Sequence, residues 1–214
     1  VPPRHAPNKA ESALLPEFNY LTREHIHIPQ TDAEWADTSQ ALHQATALGF
    51  DTESKPIFQA GQTDTGPHVV QLATQQDAWL LQLHHPQASG LVRAILANPH
   101  IIKVGFGLAN DKQQLQRTMQ AEPQQLIDLD QFFSRQGYTR NLGLRAAVAV
   151  VLQQSLHKSK RLSTSNWAKK QLSEAQIHYA ANDAHAALCV YAALPAWQST
   201  FSPPQTADLA PVKP

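Results

Sequence analysis

Two carboxylates, Asp51 and Glu53, stand two residues apart in the run Gly49-Phe50-Asp51-Thr52-Glu53. If that run ends a strand, both side chains point to the same face. Acids that converge on one face repel each other unless a cation or a proton offsets them, so the pair is a candidate metal site. An exposed acidic turn is the plainer alternative, and an Asp-x-Glu taken alone is weak. Tyr179 and Asp183, in Tyr179-Ala180-Ala181-Asn182-Asp183, lie at i and i+4 and share one helix face among alanines that let a helix lie close to a sheet. Taken singly, an exposed Asp beside a half-buried core Tyr explains that pair equally well. Asp111 follows a strand-like run and two glycines, which puts it in the first turn of a helix, where an acid can also simply answer the macrodipole.

The elements that must position these groups are legible as an alternation of strands and helices without internal repeats, which predicts a layered α/β fold. Thr31 to Ala47 reads as a first helix that leads into a strand at Leu48-Gly49-Phe50. The runs His68 to Ala73 and Ala78 to Leu83 are β-like, and the short Thr74 to Asp77 link makes them a hairpin, so the first three strands are expected as an antiparallel meander. A helix from about Pro86 to Ala97, a buried strand Ile101 to Val104, a helix Leu108 to Met119, a strand near Leu126 to Leu129 and a helix near Leu142 to Gln153 continue the pattern. The last helix is the best marked: Ser173-Glu174-Ala175-Gln176 is a capping box followed by an apolar run to about Leu194. The expected organisation is a Pro-rich arm over 1–28, one catalytic domain over 29–198 and a C-terminal tail over 199–214.

At 214 residues and 42% hydrophobic content the chain suits one well-buried α/β domain. A single cysteine, Cys189, excludes an internal disulfide and a thiolate zinc cluster and fits a reducing compartment, with cytoplasm as the default. Eleven histidines without a His-x-x-x-His pair do not make a zinc site. No stretch approaches the roughly 20 apolar residues of a membrane span, and the first residues lack the apolar core of a signal peptide. The chain begins with Val, which leaves open whether it is part of a longer protein. Net charge is zero, yet it is unevenly spread: from Gln131 to Ser173 there is no acid, while Arg135, Arg140, Arg145, Lys158, Lys160, Arg161, Lys169 and Lys170 are basic. A basic segment beside an acidic remainder suits a protein that draws phosphate to one surface and cations to another; a solvated surface region is the bland alternative.

In this order, the three motifs resemble those of the DnaQ-like 3′-5′ exonucleases, in the subgroup with a tyrosine in the third motif. Gly49-Phe50-Asp51-Thr52-Glu53 is similar to the first, Lys103 to Leu115 to the second, and His178-Tyr179-Ala180-Ala181-Asn182-Asp183 to the third. The stretch from Ser165-Asn166-Trp167 to Tyr179 is similar to the Werner-type exonuclease domain and to ribonuclease D, and the resemblance covers about residues 30 to 195. It implies a ribonuclease H-like fold with a mixed five-stranded sheet flanked by helices. It further implies 3′-5′ hydrolysis of DNA or RNA to nucleoside 5′-monophosphates, and two divalent cations, Mg2+ or Mn2+, held by Asp51, Glu53, Asp111 and Asp183. By that resemblance Asp51 bridges the ions, Glu53 and Asp183 complete the site that generates hydroxide, and Asp111 holds the second ion largely through water. Tyr179, with an ordinary pKa near 10, suits a hydroxyl that orients water better than one that takes its proton.

His178 competes for that last role, because a sister subgroup uses histidine five residues before the aspartate. A residue five positions away points about 140° round a helix and one four away about 40°, so Tyr179 is expected to face the metals and His178 not. Candidate substrate-binding residues are Thr52 within the first motif, Phe106 in the glycine link, Lys160 and Arg161 as phosphate contacts, and Asn166 with Trp167. For Phe106 and Trp167, core packing is the plainer alternative. Asp128 and Asp130 read as a structural helix-start pair. Nucleic acid is the expected partner, the chain is taken as a monomer, and two readings compete with the exonuclease: a silent nucleic-acid-binding module and a phosphodiesterase for small nucleotides.

Overall fold

The last helix can lie directly on the sheet because a glycine faces it. In the computed structural model, which describes residues 4–57, 61, 63–138 and 142–199, a Cβ added at Gly49 would overlap the carbonyl oxygen of Ala184. That close approach fixes helix α8 (Glu174–Ser199) over strand β2 (Ala47–Glu53). Strand β2 is the hub of a six-stranded mixed sheet of order β1-β4-β3-β2-β5-β6, with β1 Ile26–His27, β3 Val69–Ala73, β4 Ala78–Gln82, β5 Ile102–Gly105 and β6 Leu126–Asp128. Strands β2, β3 and β4 form the antiparallel meander, while β5 and β6 continue from β2 in parallel.

The sheet has one strand more than the five expected. Ile26–His27 pairs in parallel with Ala78–Trp79, and two residues are too few to show a period of two. The segment read as an arm therefore supplies an edge strand and, before it, a helical turn α1 (Lys9–Ser12). Arg140 of the basic segment and residues 200–214 of the tail lie outside the described residues.

Alternation along β2 sends Leu48 and Phe50 to one face and Gly49, Asp51 and Glu53 to the other. Leu48 and Phe50 pack with Trp35 and Leu42 of α2 (Asp32–Gln44) and Val92 and Ile95 of α3 (Pro86–Ala97). Each fully buried side chain of this kind contributes roughly 1.5–3 kcal/mol. A reciprocal capping box between Thr31 and Glu34 starts α2, and Pro86 stands at the tolerated first turn of α3. Helix α4 (Ala109–Met119) carries Leu115 onto the same face as α2 and α3. The opposite face lies under α8, whose Ala180, Ala181 and Ala184 meet Val69, Ala73 and Leu80. Ser173 and Gln176 cap α8 as the sequence predicts, with Gln176 N–H donating to Ser173 Oγ at 3.3 Å and Ser173 N–H donating to Gln176 Oε1 at 3.1 Å.

The short helix α5 (Leu129–Arg135) follows β6 directly. The single helix expected over Leu142 to Gln153 is instead a short α6 (Leu144–Ala147) running into a π-helical turn over Val148–Leu152, closed by Gln153 at φ 54°. Valines at 148, 150 and 151 crowd a regular α-turn. The helical turn α7 (Lys160–Ser163) then leads towards α8.

Candidate active site

Carboxylate oxygens of Asp51, Glu53 and Asp183 lie within 4.8 Å of one another. Asp51 and Glu53 come from the end of β2 on the face that α8 covers, and Asp183 precedes Ala184, the residue seated on Gly49. Burial first, and then repulsion from Asp111 and Asp183, push the Asp51 carboxyl up to about 8. Burial and repulsion from Asp51 and Asp183 push Glu53 up to about 9. Asp183 is also raised by burial, against the lowering pull of Lys158. Three hard oxygen donors that resist ionising together are what a divalent cation offsets, so the residues present fit such an ion.

Asp111 is not part of that cluster. It sits in the first turn of α4, which packs on the other face of β2, and there Thr52, the residue between the two strand acids, donates a short hydrogen bond from Oγ1 to Asp111 Oδ1. Burial raises the Asp111 carboxyl and the Thr52 hydroxyl opposes that rise. The glycine link between β5 and α4 is pinned by Asp128, whose carboxylate accepts from Gly107 N–H and Leu108 N–H, both at 2.9 Å. Asp128 also caps α5 through Asp130 N–H at 3.1 Å, the structural part expected of it.

Burial, together with the charges of Asp183, Glu53 and Asp51, drives the pKa of Tyr179 upward. Its ring lies 6.1 Å from that of Trp167. His178 offers its carbonyl to Asn182 Nδ2 at 2.9 Å, and the residue lines a 630 Å³ recess together with Tyr20, Leu162, Tyr179 and Asp183.

The expected substrate contacts divide. Trp167 is 1% exposed in the core under α8, so it presents no surface to a strand and its part is packing. Asn166 is exposed, but its Oδ1 accepts from Ala168 N–H at 3.1 Å and its carbonyl accepts from Gln176, which makes it a turn residue. Phe106 stacks on Phe133 at 6.3 Å and lines a 310 Å³ recess with Asp51, Asp183 and Leu144. Lys160 and Arg161 are exposed on α7.

Two residues outside the acids and tyrosine expected at the metal centre stand beside it, one of them, Lys158, from the run read as a phosphate grip. Lys158 reaches in from the basic segment, its Nζ 2.7 Å from Asp183 Oδ2 and 5.6 Å from the Tyr179 ring centroid. Burial works against its charge, yet Asp183, Asp51 and Glu53 together hold its pKa above the ordinary value. Gln71 pairs across the sheet with Asp51, fully buried, and neither amide atom has a hydrogen-bond partner. The sequence signal for Gln71 is a lone carboxamide in the apolar run Val69-Val70-Gln71-Leu72-Ala73; for Lys158 nothing sets it apart from its basic neighbours.

With the geometry in place, comparison with known proteins is direct: the sequence profile of the 3′-5′ exonuclease family matches residues 26–196. The chain belongs to the 3′-5′ exonuclease family. Within that family, the exonuclease mut-7 homolog of Homo sapiens is 31% identical over 205 residues, which cover 81% of this chain and 23% of the relative. The bifunctional 3′-5′ exonuclease/ATP-dependent helicase WRN of Mus musculus is 28% identical over 160 residues, 72% of this chain and 11% of the relative. The chain thus spans a minor part of either protein. Among solved structures, the Nibbler EXO domain of Aedes aegypti superposes with a TM-score of 0.73 at 21% identity, over 85% of this chain and 92% of that one. RNase D of Escherichia coli gives 0.69 at 24% identity over 82% and 45%. Trypanosoma brucei RNase D in complex with RNA U12 gives 0.68 at 17% over 79% and 62%. The shared fold is α/β and ribonuclease H-like, as the motifs imply.

Proposed function

We propose that this domain hydrolyses the terminal phosphodiester at the 3′ end of DNA or RNA and releases nucleoside 5′-monophosphates. The observation that carries the reading is the convergence of Asp51, Glu53 and Asp183 from a strand end and a helix within 4.8 Å, with Tyr179 one turn before Asp183 on the same helix face. Family membership and a fold shared with an RNase D bound to RNA support a nucleic-acid substrate.

Asp51, Glu53 and Asp183 would hold Mg2+ or Mn2+, and Asp111, bonded to Thr52 outside that cluster, would act on an ion through water. Such ions, when bound in a pair, lower the pKa of water and stabilise the leaving 3′-oxygen of an in-line displacement. The residues of the chain do the rest. Tyr179 keeps its proton, because burial and the surrounding acids oppose the phenolate, so it orients water through its hydroxyl and is not the base. Lys158 supplies a positive charge at the mouth of an otherwise anionic site, where a phosphate must approach. Phe106 and Leu144 wall an adjacent recess with apolar surface of the kind a nucleobase stacks against.

A ladder assay tests this: 5′-labelled single-stranded DNA, recessed duplex and RNA, each with magnesium or with chelator. Single-nucleotide shortening from the 3′ end that requires the metal is the expected result. Binding without shortening would leave a silent nucleic-acid-binding module of the same fold.

A further inference from the structure

Lys158 has two features that a peripheral salt bridge lacks. Its ammonium acts on all three members of the acid cluster and touches the most buried of the contacts directly, with the Asp183 side chain 5% exposed and the Lys158 side chain 32% exposed. Its backbone is also held from outside the matched family region. Ser155 N–H donates to Pro16 O at 2.7 Å, Phe18 N–H donates to Ser155 O at 3.0 Å, and His157 N–H donates to the Tyr20 hydroxyl at 2.8 Å. Leu21 N–H in turn donates to Asn182 Oδ1 at 2.8 Å, one residue before Asp183. The N-terminal arm is therefore tied at one end to the segment that carries the lysine and at the other to the helix that carries its partner. The backbone just before Lys158 is held, and a flexible four-carbon stem is left to move the charge.

Two like charges cannot share one carboxylate oxygen at contact distance without a large cost. We infer that Lys158 is an exchangeable counter-ion: it neutralises Asp183 until a divalent cation takes that carboxylate, and the displaced ammonium then turns to the phosphate of the incoming strand. The arrangement couples metal loading to substrate capture, since the lysine is freed for phosphate only once Asp183 has a better partner. The lysine stays charged throughout, so the exchange itself moves no proton on or off its ammonium. The inference rests on the metal-dependent reading above.

The test is Mn2+ binding followed by electron paramagnetic resonance of the free ion, without substrate, on the wild type, Lys158→Met and Lys158→Arg. With the competitor removed, Lys158→Met should bind Mn2+ about ten-fold tighter, and Lys158→Arg should return towards wild type. In chelator, Lys158→Met should melt below the wild type, and saturating Mn2+ should close that gap. Equal or weaker Mn2+ binding by Lys158→Met, or a melting deficit that metal leaves untouched, overturns the exchange and makes the lysine a structural ion pair. A wild type that takes up no Mn2+ overturns the metal reading itself.

Discussion

The acid centre and the basic segment meet at Asp183, and they are built in opposite ways. Asp51, Glu53, Asp183 and Tyr179 all project from regular elements, β2 and α8, locked together where Ala184 sits on Gly49. Lys158, Lys160, Arg161 and Asn166 hang on the stretch between the π-helical turn and α8, where the only regular element is the four-residue turn α7. Groups that must hold an ion within a few tenths of an ångström need rigid mounts, while groups that meet a variable, flexible strand do not. The contrast predicts large, all-or-none effects from the first set and graded, salt-dependent ones from the second.

The largest effect should come from Asp183→Asn or Asp51→Asn. On the proposed metal-dependent mechanism each removes a charge that a bound cation would need, worth several kcal/mol, so kcat should fall about a thousand-fold or more while oligonucleotide binding in Ca2+ changes little. A variant with near-normal turnover would break the comparison outright. Gly49→Ala tests the mount in place of the acids: the new methyl has the Ala184 carbonyl in its way, so α8 must lift. A stability loss of about 3 kcal/mol in urea unfolding is expected, together with weaker Mn2+ binding although every acid remains.

Tyr179→Phe comes next, with a loss of about a hundred-fold in kcat if its hydroxyl orients the water. His178→Ala should leave kcat within about two-fold, because a residue five positions before Asp183 points about 140° round the helix from it. The reverse ranking would hand the role to histidine.

That ranking also shows how far the sequence could be read. Tyr179 and Asp183 share a helix face by arithmetic, and Asp51 and Glu53 share a strand face the same way, so their convergence needed only the packing of two elements. The antiparallel meander and the capping box of α8 were legible for the same reason, as periodic or local signals. The edge strand Ile26–His27 and the reach of Lys158 were not. The first is too short for a period, and the second depends on backbone bonds to Pro16, Phe18 and Tyr20 more than 130 residues away in the chain. Trp167 was ambiguous for a third reason: an aromatic in a basic run fits stacking on a base or burial in a core, and only the path of the chain decides.

The raised carboxyls give a pH test of the same rigid centre. Asp51 and Glu53 stand near 8 and 9 in the fold and near 4 in an unfolded chain. Between those values the native state binds more protons than the unfolded one. Their contribution to stability is therefore complete below about pH 4 and is lost as pH rises through 8 and 9. In chelator the melting temperature should decline by a few degrees from pH 5 to pH 9, magnesium should restore it at the upper end, and Asp51→Asn/Glu53→Gln should flatten the slope. A wild-type slope equal to that of the double variant would remove the buried repulsion from the account.

The smallest effect belongs to the basic segment. Lys160 and Arg161 are exposed on a helical turn, and among the described residues no ion pair holds either side chain. Each can neutralise about one phosphate of a flexible strand and so release about one counter-ion, which is a term in affinity and not in the chemical step. Lys160→Ala and Arg161→Ala should each raise KM for single-stranded oligonucleotides a few-fold at low salt, leave kcat alone, and reduce the slope of log affinity against log salt by about 0.7. If either change lowered kcat at saturating substrate instead, that side chain would be placing the phosphate at the acids, and the loosely mounted half of the site would have a rigid role like that of β2 and α8.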